Sequence, residues 1–272
     1  MGIIRFHAGD SLPVEDVVAR EEPLEIRLNG NTLVYLMRLP GDDILLAAGF
    51  CFSEGLIKDR GKIELMQHCL EGNFQGMDSG GSGAAGAAGP GNLMEIRARI
   101  EEDADRFATA RIVRTGCGGA DLDREVDLSG VYVDSNQVFA PEAILRLPDL
   151  LLAQQEIFRV SGGTHGAGLF DADGNVLVVK EDVGRHNAVD KVLGYLLMSG
   201  GSPRDKGIIL SGRLSYEMVL KAARAGVPLV CSVSAPTALG VEVGRKTGVT
   251  MVGFLRGAGF NIYSHQSRIG GI

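Results

Sequence analysis

The second half of the chain alternates short apolar segments with amphipathic ones, and this alternation constrains the fold more than any other feature. Short apolar runs predict buried strands, and the 3.6-residue periodicity between them predicts helices. Strands and helices that alternate in this way are typical of an α/β domain, which we predict over residues 140–272. The predicted strands are 176–180, 207–210, 229–233 and 249–255, and the predicted helices are 141–158 (bent or divided at Pro148), 187–198 and 215–225.

Residues 1–139 are predicted to form a smaller, β-rich region. Apolar and polar residues alternate over 24–28, Asn29-Gly30 marks a tight turn, and a second strand is expected over 32–39. The low complexity of the Gly/Ala-rich residues 76–92 predicts a flexible loop. Further strands are predicted at 93–100, 107–113 and 131–139.

Composition excludes some classes of protein. The 272-residue chain has a net charge of -7, which disfavours a nucleic-acid binder because such proteins usually carry a basic surplus. Apolar runs stay below the roughly 18 residues that span a membrane, and the N-terminus lacks the apolar region of a signal peptide. We therefore expect a cytoplasmic protein with neither a nucleic-acid partner nor a membrane.

The four cysteines lack C-x-x-C spacing, so the sequence does not predict a zinc knuckle or a thioredoxin-type motif. Cys51 falls on an apolar helix that Asp42 is predicted to cap, which favours a buried structural role. Cys69 is expected to have no role. Glycines flank Cys117, which distinguishes it from Cys51, Cys69 and Cys231.

Cys117 is the candidate catalytic residue. The glycines at 116, 118 and 119 permit unusual backbone conformations and the close approach of a partner. Arg114 would favour the thiolate, which is the reactive form of cysteine. From composition alone, a turn that happens to contain a cysteine is an equally open interpretation.

Polar loops at 161–167, 181–187, 211–215 and 232–237 carry the candidate binding residues. Hydroxyls, arginines and helix N-termini suit phosphate groups, and several such loops beside one sheet predict one extended, nucleotide-like ligand. The candidates in these loops are His165, Arg185, His186, Ser211, Arg213 and Ser234.

Individual roles within these loops stay open at this point. His165 could act as a general base, as a phosphate donor or as a structural residue. Glu181 and Asp182 could orient Arg185 and His186, or bind a guanine edge, and a solvated, salt-bridged loop is the alternative to any of these functions.

Five ordered motifs resemble the formate dehydrogenase accessory sulfurtransferase family (FdhD). A further stretch, G-F-C-F-S-E-G at 49–55, also matches that family, and the resemblance covers nearly the whole chain apart from 76–92. The motifs are S-G-G-T-H at 161–165, E-D-V-G-R-H-N-A-x-D-K at 181–191, S-G-R-x-S-x-E at 211–217, S-x-S-A-P-T at 232–237, and G-F-x-R-G at 253–257 with N-I-Y at 261–263.

The resemblance implies a cytidine-deaminase-like α/β fold over 140–272 and a homodimer. It also implies that Cys117 accepts persulfide sulfur from a cysteine desulfurase and passes it to the molybdenum (or tungsten) bis-guanine-dinucleotide cofactor of a formate dehydrogenase. That cofactor would be a bound substrate, and no permanent cofactor or metal is expected. Similarity to a cofactor-binding stretch of the family implicates Phe254, Leu255, Arg256, Gly257, Ala258 and Gly259.

One departure from the family pattern concerns the cysteine motif. Many members carry C-G-x-C-G, whereas this chain has R-T-G-C-G at 114–118, with one cysteine. A lone carrier sulfur, or help from an outside thiol, would then be required. A cofactor chaperone that moves no sulfur is the alternative function, while a zinc deaminase is disfavoured because H-x-E and P-C-x-x-C motifs are absent from the sequence.

Overall fold

A computed structural model describes residues 1–69, 91–100, 111–113 (backbone) and 128–272. The predicted Cys117 loop and most of the predicted loop at 76–92 lie outside these ranges. The strands are β1 (Gly2–His7), β2 (Asp10–Glu15), β3 (Glu22–Leu28), β4 (Asn31–Arg38), β5 (Ile63–Cys69), β6 (Leu93–Ala98), β7 (Arg111–Val113), β8 (His165–Asp171), β9 (Val176–Asp182), β10 (Lys206–Leu210), β11 (Leu229–Ser232), β12 (Thr250–Arg256) and β13 (Gly259–Ser264). The helices are α1 (Asp43–Ser53), α2 (Pro141–Leu145), α3 (Leu147–Gln154), α4 (Glu156–Ser161), α5 (Arg185–Ser199), α6 (Tyr216–Arg224) and α7 (Ala238–Thr247).

Six strands form the larger sheet, in the order β13-β12-β11-β10-β8-β9. Strands β10, β11 and β12 are parallel, whereas β8, β9 and β13 run antiparallel to their neighbours. The start of β8 therefore lies at the same sheet edge as the ends of β9, β10 and β11. The predicted α/β class is confirmed, while the cytidine-deaminase-like arrangement stays a prediction.

Five strands form the second sheet among the described residues, in the order β5-β6-β3-β4-β7. The predicted β3–β4 hairpin is present and turns at Asn29-Gly30, where both residues have positive φ. Strands β6 and β7 pair in parallel with β3 and β4, respectively. Strands β1 and β2 form a separate hairpin that the sequence reasoning missed.

Helices α1 and α5 pack closely and join the two sheets. A Cβ atom placed on Gly49 of α1 would lie 1.7 Å from the carbonyl oxygen of Asp190 of α5. The larger hydrophobic core contains residues from both β3 and β10, among them Ile26 and Ile208. Residues on both sides of 139/140 thus share a core, and the division into two regions at that point stays a prediction.

The predicted strand at 131–139 is wrong, because only Phe139 forms a β-bridge there, with Ile269. The buried guanidinium of Arg268 instead binds the carbonyl oxygens of Val133 at 3.2 Å and Ser135 at 2.8 Å. These carbonyl groups are satisfied by a side chain, so the segment does not need a neighbouring strand.

Asp42 occupies the residue before α1, but its side chain makes no capping hydrogen bond. It adopts a left-handed conformation, with φ of 57°, and binds Lys180 at 2.9 Å instead. Pro148 lies in the first turn of α3. The helical segment is divided, as predicted, and forms α2, α3 and α4. No helix in the described part of the chain combines the length and apolar character that crossing a bilayer requires.

Candidate functional site

The start of β8 and the ends of β9, β10 and β11 form one edge of the larger sheet, which we call the polar edge. His165 pairs with Asp182 across β8 and β9, and the amide of Ser211 donates to the Gly166 carbonyl at 2.9 Å. The predicted binding residues at 165 and 211 are therefore adjacent. Ends of parallel strands are the usual ligand-binding position in α/β sheets, and the observed edge follows this rule.

His165 lies partly buried at the start of β8. Burial lowers the pKa of His165, and the nearby charges of Arg185 and His186 lower it further, although Asp182 acts in the opposite direction. The imidazole is therefore neutral at pH 7 and can accept a proton. The sequence left its role open, and this environment favours the basic role over a fixed positive charge.

Arg185 and His186 are the first two residues of α5, which begins two positions before the helix start predicted at 187. A Cβ atom placed on Gly212 would lie 3.5 Å from Arg185 Cδ and 3.6 Å from His165 Nδ1. The loops after β9 and β10 therefore meet beside His165. Arg185 Nε is buried and makes no hydrogen bond within the described residues, so a donor is available at this junction.

Among the described residues, the Asp182 carboxylate makes no direct hydrogen bond to the side chain of Arg185 or His186. Its fully buried carboxylate lies 2.8 Å from Lys191 Nζ and accepts from the Leu39 amide at 3.1 Å. The neighbouring Glu181 binds the start of α4. Asp182 does contact the residues on either side of the basic pair, because its carboxylate accepts from the Gly184 amide and from Asn187 Nδ2, each at 2.9 Å. A role for Asp182 in orienting the pair through the backbone therefore stays a prediction.

Glu181 holds the start of α4 against the sheet. Its carboxylate oxygens accept from the amides of Ile157 and Phe158, each at 2.8 Å, and from the Thr164 hydroxyl at 2.6 Å. Acidic oxygens at a helix N-terminus satisfy amides that the helix leaves unpaired. Glu181 thereby fixes the segment that leads into His165.

Glu217 is the residue that contacts His186, and sequence reasoning missed this pair. His186 Nε2 and Glu217 Oε2 lie 2.7 Å apart. The hydrogen bond from His186 is the main cause that lowers the pKa of Glu217, whereas burial raises it. Lys221, four residues later on α6, binds Asp190 and Glu54 instead. The sequence signal that could have indicated a role for Glu217 is its position as the last residue of the 211–217 motif.

Serine hydroxyls hold the loops that follow β10 and β11. Ser211 Oγ accepts from the Gly166 amide at 2.9 Å, and Ser232 Oγ donates to the Gly212 carbonyl at 2.5 Å. Ser215 precedes α6, yet its hydroxyl makes no capping bond and is buried without a hydrogen-bond partner among the described residues. A second unsatisfied polar atom thus lies in these loops, while Arg213 is exposed in the same turn.

The β12–β13 hairpin extends past the end of β11. The Phe254 amide donates to the Ser234 carbonyl at 3.0 Å, which connects two predicted binding residues, and Phe254 has a positive φ of 52°. The Arg256 guanidinium lies 5.4 Å from the Phe254 ring centroid. Leu255 is fully buried in the core, so only its backbone could face a ligand. The turn at 257–259 is exposed.

Two of the other cysteines are structural. Cys51 and Cys231 are fully buried, and burial raises the pKa of both thiols far above the usual range. They are therefore protonated thiols, which agrees with the structural role predicted for Cys51. No cluster of metal-ligating side chains occurs in the ranges that the structure describes.

The polar edge can therefore bind an extended anion and manage a proton. Buried Arg185 Nε and Ser215 Oγ are both donors without partners in the described residues, and phosphate oxygens would satisfy them. The neutral imidazole of His165 lies near Arg185. These donors fit the phosphate groups of an anionic ligand. The predicted carrier, Cys117, lies outside the described residues.

Together these features define a mixed α/β protein with a phosphate-suited sheet edge. The chain belongs to the FdhD/NarQ family, whose model matches residues 19–270. This finding confirms the family that the sequence motifs indicated.

Relatives of known name support this membership. The chain is 38% identical over 275 residues to the sulfur carrier protein FdhD of Streptomyces avermitilis, covering 98% of this chain and 94% of the relative. It is 36% identical over 259 residues to the protein of the same name from Sulfurisphaera tokodaii, covering 94% and 92%. The crystal structure of a candidate formate dehydrogenase accessory protein from Desulfotalea psychrophila matches with a TM-score of 0.76 and 26% identity, covering 99% of this chain and 97% of that one.

Proposed function

We propose that this chain is a sulfur carrier for formate dehydrogenase maturation. Cys117 accepts sulfur from the persulfide of a cysteine desulfurase, and the chain transfers it to a molybdenum or tungsten bis-guanine-dinucleotide cofactor bound as substrate. The observation that carries the binding part is the buried Arg185 Nε near His165, which has no hydrogen-bond partner in the described ranges of the chain. The names of the relatives support the sulfur-carrying part.

The polar edge supports binding of the cofactor through its phosphates. Arg185 and the Ser215 hydroxyl supply donors, and α5 and α6 both begin there, so their N-terminal amides add to the attraction for anions. The hairpin with Phe254 and Arg256 extends beyond the sheet and offers an aromatic and a cationic surface. We infer that the guanine arms lie along this edge.

The chain connection supports a role for Cys117 at the polar edge. Cys117 follows Val113 by four positions, a length of chain that reaches at most about 14 Å. Val113 pairs with Leu36 of β4, and β4 leads directly to Leu39, whose amide binds Asp182 at the edge. The segment that leads to Cys117 thus begins on β7, which pairs with the strand that leads to the polar edge.

Loading of the carrier needs only a thiolate exchange. The Cys117 thiolate attacks the outer sulfur of the desulfurase persulfide, and a new sulfur–sulfur bond forms as the donor bond breaks. The donor cysteine leaves as a thiolate. No net oxidation occurs, and Arg114 favours the attacking thiolate.

Delivery to the metal requires two electrons, since a sulfido ligand is more reduced than the outer sulfur of a persulfide. The local motif holds one cysteine, so an outside thiol supplies the two electrons. Its thiolate attacks the inner sulfur, forms a disulfide with Cys117 and releases hydrosulfide. The hydrosulfide then binds the metal and loses its proton to His165 or His186.

Persulfide formation on Cys117 tests this proposal. The full chain is incubated with a cysteine desulfurase and sulfur-labelled cysteine, and its peptides are analysed by mass spectrometry. We expect one added sulfur on Cys117, unchanged loading in Cys69→Ala and none in Cys117→Ala. An unlabelled Cys117 peptide, or equal labelling of Cys117→Ala, would refute the sulfur-carrying role.

A cofactor chaperone that moves no sulfur is the second candidate. The single cysteine in the 114–118 motif favours it, since a neighbouring thiol to release the sulfur is missing from that motif. It predicts that Cys117→Ala still activates formate dehydrogenase in cells that lack the native chain. Sulfur transfer predicts loss of that activity, so this complementation experiment separates the two functions.

A further inference from the structure

The start of α5 and the start of α6 are joined by a hydrogen bond between two side chains. His186 and Glu217 are the second residues of their helices, and Nε2 and Oε2 lie 2.7 Å apart. The side chains are partly buried, with 22% and 32% of their surfaces exposed. The bond therefore connects the two loops that meet at the polar edge.

The chemistry of this bond fixes the proton on one ring nitrogen. The hydrogen bond from His186 holds the pKa of Glu217 below its ordinary value, despite the opposing effect of burial, so Glu217 is a carboxylate at neutral pH. An ionised carboxylate only accepts hydrogen bonds. His186 Nε2 must therefore carry a hydrogen, and Nδ1 is the nitrogen whose protonation can change.

We propose that Glu217 is a positioning residue that fixes the Nε2–H tautomer of His186 and thereby presents Nδ1 as the proton acceptor in sulfur delivery. This inference rests on the proposed function. When hydrosulfide binds the metal, its S–H bond breaks, the electron pair stays on sulfur and the proton moves to Nδ1. The resulting imidazolium keeps its Nε2–H bond to Glu217, and no atom changes oxidation state.

His165 is the competing proton acceptor, and its surroundings differ. No carboxylate hydrogen-bonds to its ring among the described residues, so its tautomer is not fixed in this way. Besides His186, the charged groups of the described residues that act on the Glu217 carboxylate are Arg185 of α5 and Lys221 of α6. Both are cations, and the Glu217 carboxylate therefore also offsets the positive charge that Nδ1 gains on protonation.

Nuclear magnetic resonance of labelled histidine ring nitrogens tests the tautomer directly. In the full-length wild type, His186 should be protonated on Nε2. In Glu217→Gln both tautomers should appear, because an amide can donate to Nε2 as well as accept from it. Glu242→Gln, on the exposed side of α7, is the matched control and should leave the His186 signals unchanged.

The rate of sulfur delivery provides the functional measurement. The chain is loaded with persulfide first, and transfer to the cofactor with a small thiol is then followed. Removal of a partner that orients a histidine at metal sites typically costs about tenfold to hundredfold, and we expect about a tenfold slower delivery in Glu217→Gln. Loading of Cys117 should be unaffected. In the double variant with His186→Gln, Glu217→Gln should add no further loss.

The outcomes separate this inference from the proposed function. Equal tautomer populations in wild type and Glu217→Gln, or additive losses in the double variant, overturn the role of Glu217. A changed tautomer in Glu217→Gln, together with absence of persulfide on Cys117, overturns the sulfur carrier and leaves the hold of Glu217 on His186 intact. Circular dichroism melting of Glu217→Gln checks that the variant is folded.

Discussion

Gly49 of α1 and Gly194 of α5 lie against each other where the two helices cross. A Cβ atom placed on Gly194 would lie 3.0 Å from the Gly49 amide nitrogen and 1.9 Å from the Leu45 carbonyl oxygen. Backbone atoms cannot yield as a flexible side chain can. The absence of side chains at these two positions therefore sets the separation of the helices that join the sheets.

Gly194→Ala should lower the free energy of unfolding by about 3 kcal/mol, because overpacking against backbone forces α1 and α5 apart. Denaturant unfolding followed by circular dichroism measures the change. Gly201→Ala is the control, since a Cβ there would meet no atom closer than 3.5 Å, and it should change stability by less than about 0.5 kcal/mol. Equal stability of the two variants would contradict the packing argument.

Lys221→Met should lower the free energy of unfolding by about 3–5 kcal/mol, since it leaves the buried Asp190 carboxylate without its cation. Lys221 Nζ contacts both carboxylate oxygens, at 2.9 and 3.0 Å. Chemical denaturation checks the magnitude. Lys246→Met removes an exposed ion pair with Glu242 and should lower the free energy of unfolding by less than about 1 kcal/mol. Comparable losses of stability in the two variants would show that burial does not make the Lys221–Asp190 pair more important than an exposed pair.

The stability contribution of Glu217 should depend on pH. The pKa of Glu217 in the folded state is held below its ordinary value of 4.5, chiefly by the hydrogen bond from His186. Its stabilising effect is therefore present above pH 4.5 and lost as the pH falls through the lower, folded-state pKa. The difference in unfolding free energy between wild type and Glu217→Gln should be unchanged between pH 7 and pH 4.5 and should shrink as the pH falls further. A difference that stays constant or grows below pH 4.5 contradicts this linkage.

Arg185→Gln should weaken the binding of guanosine diphosphate about 10- to 100-fold, because a hydrogen bond to a charged group contributes about 1.5–3 kcal/mol. Isothermal titration calorimetry with the full chain measures the affinity. Arg245→Gln, on the exposed end of α7, is the control and should bind as the wild type does. If Arg185→Gln binds guanosine diphosphate as tightly as the wild type, Arg185 does not bind the phosphates.

Local patterns predicted much of the fold. Alternation located β3 and β4, the Asn-Gly pair located their turn, and the apolar periodicity located α5 within two residues at its start. Alternation failed at Glu25, which should face solvent but is fully buried, where it binds Arg27 and Thr32. The pattern cannot show that polar side chains on neighbouring positions will cover and satisfy a carboxylate.

The candidate site was only partly predictable for a related reason. The loops that carry His165 and Arg185 follow predicted elements, so their convergence at a sheet edge could be inferred. The partners of single side chains depend on tertiary contacts over long separations. His186 and Glu217 are 31 positions apart, and no spacing rule for one helix connects them.

The hydrogen bonds of Asp182 bear on whether the chain can be divided. Its carboxylate binds the amide of Leu39, which directly follows β4 of the second sheet, and also the Gly184 amide and the Asn187 side chain at the start of α5. A fragment that begins at residue 140 would lack Leu39 and the α1 surface that covers α5. We expect such a fragment to aggregate when expressed alone and to recover its fold only when the complementary fragment is supplied.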